Sequence, residues 1–195
     1  MPRNSSDAMK LKGFWLAGLA ATVAVAVMLT AFASSPYLPL GNTGTRINVT
    51  LTPFEVVSPV YSDAMAHLEM TARRVRGEDG NYGYEVYYTL SWMRLSSPPT
   101  KIYIAVGKQG QTGPVIVWLC GGGDKPACPP KTWGEITYNV VPPLYLKAEE
   151  IQGVQGVEAG DFEGFMTLLM HNSLYIQIDT EKFPSGEVRA QLTAR

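Results

Sequence analysis

Six side chains able to do chemistry recur at alternate positions in three short runs: Tyr103 in KIYIAVGKQG, Gln177 and Asp179 in YIQIDT, and Glu187, Arg189 and Gln191 in GEVRAQL. Alternate residues of a strand share one face, so each run would turn its phenol, amide, carboxylate or guanidinium to one side. Paired as a hairpin, the last two runs would align Gln177 and Asp179 with Glu187, Arg189 and Gln191, with opposite charges meeting across it. Two readings fit: a salt-bridged polar sheet face, or a surface that recognises a ligand. Metal binding asks for more. A soft transition metal wants imidazole or thiolate and a hard cation wants several oxygens, whereas Tyr103 and Gln177 have one carboxylate beside them. No metal ligand is assigned, and no cofactor is expected.

Catalysis finds little support. A Ser/His/Asp set needs a base within reach of a nucleophile, and the chain has only His67 and His171. His67 falls on the more polar face of a strand. His171 falls at the end of a helix, where a cation suits the dipole. The GGG at 121–123 is not followed by Gly-Lys-Ser/Thr, so it is no phosphate loop. No catalytic residue is assigned, and the chain is expected not to be an enzyme.

The 195 residues have room for one medium domain and an export segment. Arg3, Lys10 and Lys12 precede an uncharged apolar run, residues 13–32, and Ala31 and Ala33 fit a small-x-small cleavage site with a cut after Ala33. Residues 1–33 therefore read as a signal peptide, or as an uncleaved anchor with its basic flank in the cytoplasm. Either way the remainder is expected outside the cytoplasm: periplasmic, extracellular or at the cell surface. Beyond residue 33 the acidic residues outnumber the basic ones. No basic surplus exists to neutralise phosphates, which argues against nucleic acid as a partner. In an oxidising compartment Cys120 and Cys128 read as a disulfide closing a small loop, with free thiols the alternative. NVT at 48–50 is a sequon, used only if the host glycosylates such sites.

The elements that must position these groups are mostly strands. Residues 34–46 are rich in Ser, Pro, Gly and Thr and read as a linker to a domain spanning 47–195. Period-two patterns follow. Ile47, Val49 and Leu51 share a face, as do Ala64, Ala66, Leu68, Met70 and Ala72, and then Tyr82, Tyr84, Val86, Tyr88, Leu90 and Trp92. An Asp-Gly turn within 76–83 joins the second and third strands. Further strands are expected at 101–107, 113–119, 132–141, 173–180 and 187–194. Phe162, Phe165, Met166, Leu169 and Met170 recur at helical spacing behind Asp161, an N-cap, and predict one short helix packed across an open end of the sheets. The fold class is all-β: a Greek-key antiparallel sandwich or barrel of about eight strands. Trp92, Trp118 and Trp133 would add contact area if exposed and core if not.

The run YIQIDTEKFPSGEVRAQL resembles the C-terminal signature of the CHRD domain, approximately Tyr-Val-Asn-Val-His-Thr followed by Pro-x-Gly-Glu-Ile-Arg-Gly-Gln. In the same order, LTPFEVVSPV, 51–60, resembles the family's opening strand. GKQGQTGPVIVWLC, 107–120, resembles its Gly-x-x-Gly-x-x-Gly-Pro segment, and CPPKTWGEIT and QGVEAGDFEGFMTLL resemble the bacterial members. The resemblance runs from about Ile47 to Gln191. It implies three histidines on same-face strand positions, and this chain has Tyr103, Ala105 and Asp179 there, with Gln177 in place of an Asn. The expected function is an exported non-catalytic binding or structural module. Its partner would be an envelope or extracellular protein or a surface polymer, with membrane contact only through residues 13–32. The alternative is a metal-binding or redox-related protein using a degenerate site at Tyr103, Gln177 and Asp179, joined by His67.

Overall fold

The computed structural model describes residues 37–39, 44–77, 82–138 and 146–194. The stretch read as an export segment, the tip of the Asp-Gly turn at 78–81 and the end of the strand expected over 132–141 lie outside the described residues. Among the described residues nine strands form: β1 (Tyr37–Pro39), β2 (Thr45–Leu51), β3 (Met65–Gly77), β4 (Tyr82–Met93), β5 (Pro99–Val106), β6 (Val115–Cys120), β7 (Gly134–Tyr138), β8 (Leu174–Thr180) and β9 (Val188–Gln191). One α-helix, α1 (Phe162–Met170), precedes β8.

The strands make a β-sandwich of two antiparallel sheets. In the five-stranded sheet β3 lies between β4 and an edge shared by β1 and β2, with β7 beyond β4. The four-stranded sheet runs β6-β5-β8-β9. β1 arises inside the stretch read as a linker. A short edge strand tolerates the proline that made its composition look irregular.

The alternation seen in the sequence sorts side chains as expected. Leu68, Val86 and Leu90 from one sheet and Ile102, Ile104, Ile176, Ile178 and Val188 from the other are fully buried in a single core. Each such aliphatic side chain contributes roughly 1.5–3 kcal/mol by leaving water. The sheets also touch at one corner. Thr52 exchanges both backbone hydrogen bonds with Arg189, its N–H donating at 3.0 Å and its carbonyl accepting at 3.1 Å.

The helix forms where its apolar spacing predicts, and the Asp161 carboxylate accepts from the Gly164 N–H at 2.9 Å as an N-cap. Phe165, Met166 and Leu169 are buried, and Phe162 stacks on Tyr84 at 5.5 Å. The Tyr84 hydroxyl donates to Glu163, and burial followed by that bond pushes its pKa up to about 12. Met170 departs from expectation: it is 56% exposed, because the helix ends there and the chain turns away from the core. The cation at the helix C-terminus is also not the expected one. Lys108 Nζ donates to the His171 carbonyl at 2.5 Å, complementing the dipole.

Cys120 and Cys128 are joined in a disulfide with Cα atoms 5.0 Å apart. Reducing it should lower stability by about 2–3 kcal/mol, the loop-entropy value for so short a loop. Urea unfolding with and without reductant reads this directly, and an unchanged midpoint would remove the disulfide from the fold's supports.

Candidate functional site

Five of the six residues singled out in the sequence fall on strands of the four-stranded sheet that the fold lays side by side, and Glu187 immediately precedes β9. Tyr103 of β5 stands opposite Gln177 of β8, and Gln177 stands opposite Arg189 of β9. Trp118 of β6 faces Tyr103 on the other side. A cross-strand row therefore runs Trp118, Tyr103, Gln177, Arg189 across all four strands. A second row holds Ala105, Tyr175 and Gln191.

Burial changes what these groups can do. Alternation suggested a polar face toward water, yet Gln177, Asp179, Glu187 and Arg189 are at most 4% exposed. The β5–β6 connection folds over Arg189 and Gln191, and the turn at Ser185 and Gly186 lies against Gln177. The Arg189 Nη2 donates to the carbonyls of Lys108 at 3.3 Å and Gln111 at 2.6 Å. Gln191 Nε2 donates to the Gly107 carbonyl at 2.9 Å. Gln109 Nε2 reaches Glu55 at 3.1 Å and ties this cover to the turn at Pro53–Glu55.

Within the layer, Tyr103, Gln177 and Asp179 form one network. Gln177 Nε2 donates to the Tyr103 hydroxyl at 2.7 Å, to Asp179 Oδ1 at 2.8 Å and to the Ser185 carbonyl at 3.1 Å. The Tyr103 hydroxyl donates to Asp179 Oδ1 at 3.3 Å. Burial pushes the Asp179 carboxyl above its usual range, opposed by the bonds from Gln177 and Tyr103 and by Lys101. Burial also raises Tyr103, and the neighbouring Asp179 charge adds to it.

Glu187 and Arg189 stand apart from that network. Glu187 turns to the sandwich end, where Oε1 accepts from Ser62 Oγ at 2.6 Å, Ser96 N–H at 2.8 Å and Ser96 Oγ at 2.6 Å. Its Oε2 accepts from Thr180 Oγ1 at 2.8 Å. Arg189 lies over the Tyr175 ring at 3.5 Å, a desolvated cation–π contact of about 2 kcal/mol, while its Nη1 has no hydrogen-bond partner. Burial lowers its pKa, with Tyr175, Tyr103 and Glu55 opposing. The expected ion pairs across the β8–β9 hairpin do not form: Arg189 pairs in register with the neutral Gln177, and Glu187 takes hydroxyls and one amide.

The degenerate metal site is not assembled as expected. His67 lies on β3 of the other sheet, half-exposed, with its ring near Thr50 at 3.5 Å and Glu69 at 3.5 Å. Gln177 turns its amide nitrogen, a donor, toward Tyr103 and Asp179. Among the described residues no three His, Cys, Asp or Glu side chains cluster closely enough to hold an ion.

Tyr175 has no role assigned from the sequence, and the glycines at 121–123 are excluded there as a phosphate loop without a packing role being seen for them. Tyr175 floors the Arg189 guanidinium. Gly121 lies at φ 73°, where a Cβ would stand 1.9 Å from the Thr100 carbonyl oxygen, and Gly122 lies against Trp118. Three consecutive glycines beside a cysteine were the available signal, because they mark backbone approaching something closely.

The family model for the CHRD domain matches residues 47–192. No curated protein matches, and no solved structure does.

The raised Asp179 pKa has a sign. The folded chain holds that proton more tightly than the unfolded chain, so this contribution to stability is fully present below the unfolded value of about 3.9 and is lost as pH rises through the folded value. Asp179→Asn keeps Oδ1 for both donors and removes the charge. It should gain on the wild type over the range above about pH 4 in urea unfolding, and a gap that does not widen as pH rises would reject the buried-charge account. Asp179→Ala strands Gln177 and Tyr103 and should cost about 1–3 kcal/mol throughout that range. Glu187→Ala strands four donors and should cost more than Asp179→Ala in the same measurement.

Proposed function

The chain belongs to the CHRD-domain family, and from that premise we propose that it is an exported, non-catalytic binding or structural module of the cell envelope or extracellular space. The observation that carries this reading is the closure of the polar layer. At the positions where family resemblance expects histidines, Tyr103 and Asp179 bond to each other and to Gln177, and Ala105 is fully buried. Those groups are engaged in holding the sheet and its loop cover together. A reacting substrate would have to displace that cover to reach them.

Export is supported by the Cys120–Cys128 disulfide, since thiol pairs of this kind persist in oxidising compartments. A binding role is supported by large apolar side chains left outside the core. Met65 and Met93 stand opposite each other across β3 and β4, 40% and 50% exposed, and Trp133 is 63% exposed. The partner is an envelope or extracellular protein or a surface polymer. The net acidic composition beyond residue 33 gives nucleic acid no electrostatic footing. Residues 13–32 make the membrane contact if they are retained.

Thiol trapping in intact cells tests the location. Cys120 and Cys128 should resist a maleimide until reductant is added, and the chain should fractionate with the envelope or the medium. Cytosolic chain that labels without reductant would overturn export. Cross-linking of the same cells should give a discrete heavier species, and a chain that stays uncross-linked across a range of linker lengths would count against a protein partner.

A further inference from the structure

We infer that the cavity walled by Trp118 is a subsite for one sugar unit of a neutral polysaccharide. This rests on the binding-module reading above and narrows its partner to a hydroxyl-rich surface polymer. The cavity measures about 210 Å³, below the roughly 300–1,000 Å³ of drug-sized pockets and suited to a single ring. Trp118 is the open end of the cross-strand row that Arg189 closes at the other end.

The indole is held in place before any ligand arrives. Tyr103 meets it edge-on at 5.4 Å. The backbone at Gly122 and Gly123 lies so near that a Cβ would stand 2.3 Å and 2.8 Å from ring atoms. The Cys120–Cys128 disulfide closes the loop carrying those glycines and Lys125, so one side of the cavity is covalently constrained. A platform fixed in this way loses little conformational freedom on binding.

The rim decides the ligand class. An aromatic face carries negative potential and attracts either the polarised C–H groups of a sugar ring or a cation. Around Trp118, Lys125 pairs with Glu150, and Lys147 pairs with Glu149 at 3.4 Å. A cationic ligand would compete with those lysines and an anionic one with those glutamates. Hydroxyl groups, donors and acceptors at once, can bond to both without breaking either pair. Gln152 adds an amide to the rim. Asp124 adds a carboxylate that takes part in neither pair, an acceptor for sugar hydroxyls. An aromatic wall ringed by two ion pairs, one further carboxylate and an amide is the chemistry that fits a hydroxyl-rich saccharide.

Isothermal titration of the full chain tests this, with neutral oligosaccharides of glucose, mannose and N-acetylglucosamine as probes and choline as the cationic control. At least one oligosaccharide should bind saturably, with affinity changing less than about twofold between roughly 0.05 and 0.5 M salt. Trp118→Ala should weaken that binding about tenfold or more. Gln152→Ala, which leaves the indole packing intact, should weaken it about threefold at an unchanged thermal midpoint. Salt-sensitive choline binding in place of saccharide binding, or saccharide binding indifferent to both substitutions, would overturn the assignment. If no oligosaccharide binds while envelope cross-linking still yields a protein partner, this assignment alone falls. If both fail, the binding-module reading falls with it.

Discussion

All seven residues of β8 are buried, and the four-stranded sheet is organised by that condition. A strand with one face in water tolerates almost any polar side chain there. A strand covered on both faces must give each polar atom a partner, because an unmet donor or acceptor costs about 1–3 kcal/mol. Leu174, Ile176 and Ile178 answer on the inner face by packing into the core. On the outer face Gln177 and Asp179 answer with bonds to each other, to Tyr103 and to the Ser185 carbonyl. What covers this face is loop. The carbonyls of Lys108 and Gln111 receive Arg189, and the turn at Ser185 and Gly186 closes over Gln177. Gly186, at φ 120°, has no room for a side chain: a Cβ would stand 2.7 Å from Gln177 Nε2. The glycine of the Pro-Ser-Gly turn is thus set by the polar layer beneath it as much as by the turn.

That dependence explains which features could be read in advance. In β3 and β4 one face meets the core and the other is mostly more exposed, so hydrophobicity alternates cleanly and predicts the inward set from Ala66 to Trp92. The helix stripe was legible for a similar reason, since only its last member, Met170, escapes the core. The β8–β9 hairpin obeys the same alternation, so which of its residues share a face was legible too. Its burial was not. Period-two patterning says which residues share a face but carries no information about a loop that folds back over that face from another part of the chain. Gln177 opposite Arg189 therefore looked like a wet polar ladder, while the cover came from Lys108 to Gln111 on the far side of β5. Tyr175 was invisible in the same way: in a strand it reads as one more aromatic, and only the fold places a guanidinium over it.

The exchange of histidine for other groups also has a physical reading. Tyr103 and Asp179 come within 3.3 Å of each other, across adjacent strands, at two of the positions where family resemblance expects imidazoles. The geometry that would let side chains converge is present in this chain, and its chemistry is different. A phenol, an amide and a carboxylate in that space bond to one another, and each bond removes an atom from availability to anything else. Ala105, fully buried, leaves no third reaching side chain at all. Chemistry that remains accessible must then lie where the row leaves the cover. At the β9 end it does not, because Arg189 is sealed between Tyr175 and two carbonyls. At the β6 end it does, because Trp118 is packed by Tyr103 and two glycines yet still walls a cavity. The sealed interior and the open aromatic edge follow from one arrangement, since the contacts that close the layer around Tyr103 are also those that hold the indole steady.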